Sequence, residues 1–214
     1  IGQGRSGKDI HGLFYRSEAN KFFNVKYVVD LDEHRRNVSE EIYPGCTTLA
    51  DYRELFKLDD VDVVVNATYS NLHYPITMDL LQHGKNVLCE KPMALNLREA
   101  KEMFSCAEKN NVLLMEAMWA RLVPGTIKLL EIIENGVLGD ILGVEGKFCY
   151  TMDEDEMDHH ALKNENGGGS LLDVGVYGLN FASWYLGKDV EKIDAQAEIW
   201  NGVDTHTCAL LKYK

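Results

Sequence analysis

Three side chains suited to proton transfer stand out in the sequence of 214 residues. Lys91 lies within Glu90-Lys91-Pro92, directly after an apolar run that is typical of a buried strand. Asp173 and Tyr177 are four residues apart after three consecutive glycines, a spacing that puts both side chains on one face of a helix. A phenol next to a lysine can act as a general acid or base, because the cation lowers the phenol's pKa from about 10. A solvated lysine in a turn and a tyrosine in a core are the alternative interpretations.

A second motif carries phosphate-binding chemistry. Residues 2–7 read GQGRSG, the GxGxxG spacing, in which glycines permit a tight turn, a close approach of the backbone to a pyrophosphate and close packing of the next helix. Asp30 follows 23 positions after the last of these glycines, near the ~20 expected for the acid that binds the adenosine ribose. A carboxylate accepts hydrogen bonds from a 2′-hydroxyl and repels a 2′-phosphate, so Asp30 favours NAD over NADP. Arg35 and Arg36 follow closely, and they either soften that preference or are solvated.

The elements that must position these residues alternate along the first half of the chain. Strand-like segments are Val25–Asp30, Val61–Ala67, Asn86–Glu90 and Val112–Ala117. Helical patterns cover Leu49–Phe56, Pro75–His83 and Leu97–Asn110, the last with Asn96 as its N-cap. Continuous β-branched runs separated by helices indicate parallel βαβ units. Residues 1–118 are therefore expected to form an α/β Rossmann domain with a doubly wound parallel sheet.

The rhythm of the sequence changes after Trp119. The pattern predicts helices over Pro124–Asn135 and Ser170–Leu186 and a long strand over Ile141–Met152. It also predicts a polar loop over Asp153–Asn166 and antiparallel strands in the remainder. Residues 119–214 are therefore expected to form part of an α+β domain with a largely antiparallel sheet.

Charge and cysteine content exclude several classes of protein. The net charge is -12 without a basic stripe, which argues against nucleic acid and anionic membranes as partners. The five cysteines are scattered and form no CxxC, which indicates reduced thiols in a cytoplasmic protein. His159 and His160 lie beside acidic residues, but a solvated loop explains them better than a metal site.

Three further segments carry a family resemblance. Residues 67–73 (ATYSNLH), the tripeptide Glu90-Lys91-Pro92 and residues 167–177 (GGGSLLDVGVY) resemble, in order and spacing, the glucose–fructose oxidoreductase/inositol dehydrogenase (Gfo/Idh/MocA) family. Residues 115–121 (MEAMWAR) resemble members akin to trans-dihydrodiol dehydrogenases. The family often has Thr-Pro-Asn after the third strand, whereas here Tyr69 and Ser70 follow Thr68, and Asn71 falls one position late.

The resemblance implies an enzyme that transfers a hydride between nicotinamide and a secondary hydroxyl or carbonyl of a sugar, polyol or cyclic diol. It implies Lys91 beside the reacting oxygen, Tyr177 as acid/base and Asp173 as the residue that orients substrate or lysine. Trp119 and Arg121 either line the cofactor cleft or pack at the domain junction. The expected contacts to NAD, with NADP as the alternative, are Gly2, Gly4, Arg5, Ser6, Gly7, Asp30, Ala67, Thr68, Asn71, His73, Glu90, Lys91, Trp119 and Arg121.

Two other functions stay open within the resemblance. One is an NAD-dependent glycosidase, and the other is a non-catalytic NAD-binding regulator, for which Lys91, Asp173 and Tyr177 would not be needed. The chain is expected to be truncated at both ends, with most of the first strand missing, and not to be independently stable. The intact protein is expected to be a homodimer or homotetramer.

Overall fold

The computed structural model describes residues 1–153 and 156–214, and the chain divides into two compact units, Ile1–Ala117 and Met118–Lys214. The strands of the first unit are all parallel to their neighbours: β1 (Tyr27–Val29), β2 (Thr47–Leu49), β3 (Val64–Asn66), β4 (Val87–Cys89) and β5 (Leu114–Glu116). Its helices are a π-helical segment (Arg5–His11), α1 (Gly12–Arg16), α2 (Glu33–Ile42), a 3-10 helix (Tyr52–Lys57), α3 (Ser70–Gln82) and α4 (Leu97–Lys109). The predicted Rossmann architecture is confirmed.

The first two residues lie between two parallel sheets, β1–β2 and β3–β4–β5. The Ile1 nitrogen donates to the Val65 carbonyl at 2.7 Å, and the Ala67 N–H donates to the Ile1 carbonyl at 2.9 Å. On the other side, the Gly2 N–H donates to the Val29 carbonyl at 2.8 Å. The strand order is thus β2, β1, residues 1–2, β3, β4, β5, which puts the glycine turn at the point where the winding direction reverses. In open α/β sheets, ligands bind at that point.

The core of the first unit is apolar and closely packed around β3 and β4. Leu80 and Leu81 on α3 and Met103 on α4 are fully buried, and they pack with Val87 and Cys89 of β4. Burial of a large aliphatic side chain stabilises a fold by about 1.5–3 kcal/mol relative to leaving it exposed. This core holds the carboxyl ends of β3 and β4 in place, and the candidate site lies there.

Several predicted boundaries in the first unit were wrong. The helix expected over Leu49–Phe56 is a 3-10 helix over Tyr52–Lys57, because residues 47–49 pair with β1 and Asp51 then caps the turn through the Arg53 N–H. The helix expected from Pro75 begins at Ser70 and contains the proline inside it. The Asn96 cap is confirmed, since its side chain accepts from the Glu99 N–H at 3.1 Å.

The second unit contains helices and one antiparallel hairpin. Among the described residues, its helices include three 3-10 helices (Trp119–Leu122, His160–Leu162, Asn164–Asn166), α5 (Pro124–Glu134), a π-helical segment (Leu171–Gly175) and α6 (Val176–Leu186). The strands β6 (Val190–Trp200) and β7 (Val203–Tyr213) pair antiparallel. Asn201 and Gly202 connect them with φ angles of 49° and 78°, as the two-residue turn of a tight hairpin requires.

The long strand predicted over Ile141–Met152 was wrong. No residue of this segment is assigned to a strand, and within the described parts of the chain β6 and β7 pair with each other instead. A sequence pattern can indicate that a segment is extended, but a strand also needs a neighbouring strand that pairs with its backbone N–H and C=O groups. The described part of the loop predicted over Asp153–Asn166 includes the short 3-10 helices His160–Leu162 and Asn164–Asn166, while Glu154 and Asp155 lie outside the described residues.

None of the helices in residues 1–153 and 156–214 has the length and apolar character needed to cross a membrane.

The cysteines differ strongly in accessibility. All five are unpaired: Cys149 and Cys208 are exposed, Cys46 is half-buried, and Cys89 and Cys106 are buried. Burial raises the pKa of the Cys89 thiol to about 12. We expect a thiol reagent at neutral pH to label Cys149 and Cys208 quickly and Cys89 only after unfolding, because the thiolate is the reactive form.

Peptide mapping of the labelled native protein by mass spectrometry measures this order. A Cys208→Ser variant is the control, since it should lose one fast site and leave the slow sites unchanged. Rapid labelling of Cys89 in the native protein would contradict the assigned burial.

Candidate functional site

The three glycines of the turn at residues 2–7 differ in their surroundings: two are closely packed and one faces open space. Gly2 has φ +82°, and a Cβ there would lie 2.7 Å from the Ala67 carbonyl oxygen. A Cβ on Gly7 would overlap the Gly2 carbonyl oxygen. A Cβ on Gly4, in contrast, would meet no atom within 4 Å. The fold itself requires the first and third glycines, whereas the second leaves room for a ligand to approach the backbone, as a pyrophosphate does.

Asp30 lies at the end of β1 with its carboxylate turned toward the glycine turn. One oxygen, Oδ2, accepts from the Gln3 N–H at 2.6 Å, and the other, Oδ1, accepts from the Asp32 N–H at 2.9 Å. The Arg35 guanidinium is 3.7 Å from Oδ2, while Arg36 donates to the backbone carbonyl of Asp30 at 2.8 Å. Each carboxylate oxygen has a second lone pair, so Asp30 retains acceptor capacity for a hydroxyl.

The loop after β3 is held by a buried asparagine. Asn66 is fully buried, and its Oδ1 accepts from the Thr68 hydroxyl at 2.7 Å. Its Nδ2 donates to the Thr77 hydroxyl at 3.1 Å and to the His73 carbonyl at 3.3 Å. These bonds fix the backbone of residues 67–73, which begins directly over Gly2.

His73 links this loop to the segment after β4. Its ring is buried, with Nδ1 2.7 Å from the Pro92 carbonyl oxygen and Nε2 3.0 Å from the Thr68 carbonyl oxygen. Burial lowers the pKa of His73, although both carbonyls oppose that shift. A neutral imidazole carries one proton, so only one of the two contacts can be an N–H donation. A contact of His73 with the cofactor stays a prediction.

Two buried acceptors in the candidate cofactor loops have no hydrogen-bond partner among the described residues. They are the side-chain oxygens Oε1 of Gln3 and Oδ1 of Asn71. Buried polar atoms are normally paired, and an unpaired one indicates a missing water or ligand. Together with the open space at Gly4 and the Asp30 carboxylate, these atoms fit a dinucleotide with hydroxyl and amide donors.

The segment after β4 carries Glu90 and Lys91. The Glu90 N–H donates to the Asn66 carbonyl at 2.9 Å, and its carboxylate contacts His11 Nε2 at 2.7 Å and the Lys91 N–H at 3.1 Å. Farther on, the Met93 N–H donates to Glu116 Oε1 at 2.9 Å, which ties the segment to the end of β5. Sequence reasoning missed His11 and Glu116. Their positions, just after the glycine motif and at a strand end, were the available signals.

In the second unit, Tyr177 lies among aromatic side chains. The Trp119 indole N–H donates to the Tyr177 hydroxyl oxygen at 3.0 Å. The Trp119 ring lies edge-on to the Tyr177 ring at a centroid distance of 6.1 Å, and the Phe148 ring lies 5.6 Å away. Phe148 was not anticipated from the sequence. The indole donor fixes the direction of the phenol oxygen.

The helix that carries Asp173 and Tyr177 is anchored to β7. Asp204 Oδ2 accepts from the Ser170 hydroxyl at 2.6 Å, the Leu171 N–H at 2.7 Å and the Thr207 hydroxyl at 2.6 Å. Asp173 lies in the π-helical segment and accepts from the Tyr150 hydroxyl at 2.9 Å. A carboxylate at a helix start satisfies N–H groups that have no partner inside the helix.

The remaining predicted residues are Arg5, Ser6 and Arg121. Arg5 is exposed and begins the π-helical segment after the glycine turn, while Ser6 is half-buried within that segment. Arg121 is exposed on the same 3-10 helix as Trp119. Within the described residues no cluster of three or more His, Cys, Asp or Glu side chains is arranged to hold a metal ion.

The structure thus groups the predicted residues into two sets. Within the first unit, the glycine turn, Asp30, residues 67–73 and Glu90-Lys91 gather at the carboxyl ends of the parallel strands. Within the second unit, Trp119 and Tyr177 are in contact, and Asp173 lies one helical turn before Tyr177. A doubly wound parallel sheet with this turn and this acid defines a dinucleotide-binding Rossmann protein.

The chain belongs to the Gfo/Idh/MocA family. The family model described as an oxidoreductase family with an NAD-binding Rossmann fold matches residues 1–118, and the model of the GFO/IDH/MocA C-terminal domain matches residues 126–214. The resemblance predicted from the motifs is confirmed, as is NAD as the cofactor of the family's Rossmann fold.

Curated relatives are similar over about three quarters of this chain. Trans-1,2-dihydrobenzene-1,2-diol dehydrogenase of Xenopus laevis is 34% identical over 167 residues, which are 76% of this chain and 49% of the relative. The enzyme of the same name from Mus musculus is 38% identical over 166 residues, 76% of this chain and 48% of the relative. The chain therefore spans about half the length of these relatives.

Solved structures of related fold cover the whole chain. A levoglucosan dehydrogenase in complex with NADH and levoglucosan has a TM-score of 0.89 at 23% identity, covering 100% of this chain and 62% of that one. The WlbA dehydrogenase from Bordetella pertussis, in complex with NADH and UDP-GlcNAcA, has a TM-score of 0.86 at 22% identity with the same coverage. At this identity the likeness shows the fold.

Proposed function

We propose that this chain is part of an NAD-dependent dehydrogenase that acts on a secondary hydroxyl or carbonyl of a sugar, polyol or cyclic diol. The observation that carries the proposal is the edge of the parallel sheet, where an open glycine turn, the Asp30 carboxylate and Lys91 lie together. The names of the relatives support the substrate class, since they refer to a diol, an anhydrosugar and a nucleotide sugar. Residues 1–118 form the cofactor domain in this proposal, and residues 119–214 belong to the catalytic domain.

In the proposed reaction, residues of this chain accept the proton of the substrate hydroxyl and stabilise the charge that remains. NAD, when bound, supplies the two-electron oxidant that accepts a hydride from the alcohol carbon. Tyr177 takes the hydroxyl proton as general base, and Lys91 stabilises the negative charge that develops on the same oxygen. Asp173 orients the substrate or the lysine. The hydrogen bond from the Trp119 indole supports the role of Tyr177, since it directs the phenol oxygen.

The cofactor contacts proposed are those named from the motifs: Gly2, Gly4, Arg5, Ser6, Gly7, Asp30, Ala67, Thr68, Asn71, His73, Glu90, Lys91, Trp119 and Arg121. The open Cβ direction at Gly4 and the unpaired oxygen of Asn71 support this set most directly. His73 is buried on both ring nitrogens, so its proposed contribution passes through the backbone of Thr68 and Pro92.

Asp30 sets the preference for NAD over NADP in this proposal. We expect Asp30→Asn to lower the ratio of the NADP and NAD dissociation constants about tenfold, because it removes the charge that repels a 2′-phosphate. Asparagine keeps an oxygen for the Gln3 N–H and loses the acceptor of the Asp32 N–H, and a change of the turn that affects both cofactors equally cancels in the ratio. Fluorescence titration with both reduced cofactors measures the ratio, and Asp62→Asn is the control with the same change of charge. An unchanged ratio would contradict the assignment of the preference to the Asp30 charge.

The experiment that tests the function is a panel of sugars, polyols and cyclic diols on the full-length protein, with NAD and NADP compared. Formation of NADH that depends on one hydroxylated substrate supports the proposal. Cleavage of an aryl glycoside without accumulation of NADH would replace it with a glycosidase. Tight NAD binding without turnover of any substrate would replace it with a non-catalytic regulator.

We also propose a cytoplasmic homodimer or homotetramer that binds neither nucleic acid nor membranes. Five unpaired cysteines support a reducing compartment, and the net charge of -12 opposes binding to polyanions. The β6–β7 hairpin supports self-association, since Ile193, Ile199 and Leu210 on it are more than 60% exposed. Light scattering after size exclusion, on the full-length protein, determines the oligomeric state.

A further inference from the structure

His11 makes a hydrogen bond that connects the glycine turn to the segment containing Lys91. It is the last residue of the π-helical segment Arg5–His11, and its Nε2 lies 2.7 Å from Glu90 Oε1. The two side chains are only 15% and 12% exposed, so the contact is shielded from water. π-helical turns are rare and occur frequently at functional sites. Nothing in the reaction described above uses this histidine.

The Glu90 carboxylate lies between His11 and the backbone of Lys91. While Oε1 contacts His11, Oε2 accepts from the Lys91 N–H at 3.1 Å. The Glu90 backbone is itself fixed, because its N–H donates to the buried Asn66 carbonyl at 2.9 Å. A buried carboxylate that loses a donor turns toward another donor or toward water, since an unpaired buried charge is costly. Loss of His11 would therefore also disturb the acceptor of the Lys91 N–H.

The orientation of the imidazole is constrained from a second side. The His11 ring stacks on the Tyr15 ring at a centroid distance of 6.4 Å and an interplanar angle of 23°. The adjoining Gly12 leaves no room for a side chain, because a Cβ there would contact the Tyr43 hydroxyl. The Tyr15 ring thus lies alongside the imidazole, and the short contact with Glu90 sets the direction of Nε2.

We propose that His11 is a positioning residue for Lys91. Its Nε2–H holds the Glu90 carboxylate, which in turn holds the backbone of Lys91, so the element that follows the phosphate-binding turn also sets the direction of the catalytic lysine. The catalytic role of Lys91 rests on the proposed function. The hydrogen bonds that connect His11 to Lys91 through Glu90 are independent of that function.

The first test measures amide hydrogen exchange in the full-length protein without cofactor. We expect His11→Leu to speed exchange of the Lys91 N–H about tenfold, and His11→Gln, whose amide can still donate to Glu90, to restore most of the protection. His34→Leu is the matched control, because His34 is exposed on α2. Unchanged exchange at Lys91 in His11→Leu would overturn the proposal, as would an equal increase throughout residues 1–117.

A second variant protects the test against misfolding. Glu90→Gln keeps the side-chain volume, and in that background His11→Leu should change Lys91 exchange by less than it does in the wild type. Equal effects of His11→Leu in both backgrounds would show that the histidine acts without the glutamate, which contradicts the proposal.

Turnover separates a positioning role from a role in cofactor binding. With the substrate found in the panel, His11→Leu should lower kcat about 100-fold while the NAD dissociation constant changes less than about threefold. Loss of NAD affinity as large as the loss of kcat would overturn the assignment. If the wild type binds NAD and oxidises no alcohol, the proposed function fails, while the exchange measurement still decides the role of His11.

Discussion

Replacing Lys91 with alanine is expected to lower kcat about 10³-fold and to change the NAD dissociation constant by less than about threefold. The lysine follows β4 at the carboxyl edge of the sheet, where it would stabilise the oxygen of the reacting alcohol. Most of the proposed cofactor contacts come from the glycine turn and Asp30, so the variant leaves most of the residues that would hold NAD unchanged. Steady-state kinetics with the substrate identified by the panel, together with NADH titration, measure both quantities.

The matched control for this variant is Lys101→Ala, an exposed lysine on α4. It removes the same charge at a site that the proposal does not use, and its kinetics should be those of the wild type. Near-normal kcat in Lys91→Ala would remove the lysine from the reaction and leave a nucleotide-binding scaffold.

Tyr177→Phe is expected to lower kcat about 10²- to 10⁴-fold, the range that a general acid or base contributes. Phenylalanine keeps the ring contacts with Trp119 and Phe148, so the change isolates the hydroxyl. Tyr177→His should restore part of the activity, because an imidazole also transfers protons near neutral pH. The pH dependence of kcat, compared among the three proteins, shows whether the titrating group has changed.

Tyr213→Phe on β7 is the control for loss of a phenol away from the proposed chemistry. A second comparison, Trp119→Phe, removes the indole donor but leaves Tyr177 in place, and its loss of kcat should be smaller. Full activity of Tyr177→Phe would mean that the tyrosine is a packing residue.

The sequence predicted the architecture of the first unit well because parallel strands leave a strong signal. Strands buried on both faces are continuous apolar runs, and β3 and β4 lie within the runs predicted for them. The lengths of the strands were predicted less well: segments of five to seven residues contain strands of three residues, because only residues with paired backbone groups count as strand. In the second unit the strand predicted over residues 141–152 did not form, because a sequence pattern does not reveal the strand with which a segment pairs.

The candidate site was predictable where local chemistry dictates residue type. Glycines that the fold cannot replace, such as Gly2, and an acid at a strand end are local features. The contacts that join distant segments were not predictable. The His11–Glu90 bond spans 79 positions and the Ser170–Asp204 bond spans 34, and no local pattern encodes such a partner.

Asp204 on β7 binds the start of the helix that follows Gly169. The position of this helix therefore depends on the register in which β7 pairs with β6. Side chains on a strand alternate between faces, so sliding β7 by one residue would turn Asp204 away from Ser170 and Leu171. The helix would then lose its capping acceptor. The position of Tyr177, seven residues beyond Ser170, would no longer be fixed by the contact with β7. The Asn201–Gly202 turn fixes how the two strands align. The position of the Tyr177 phenol therefore depends on a turn that lies far from it in the sequence.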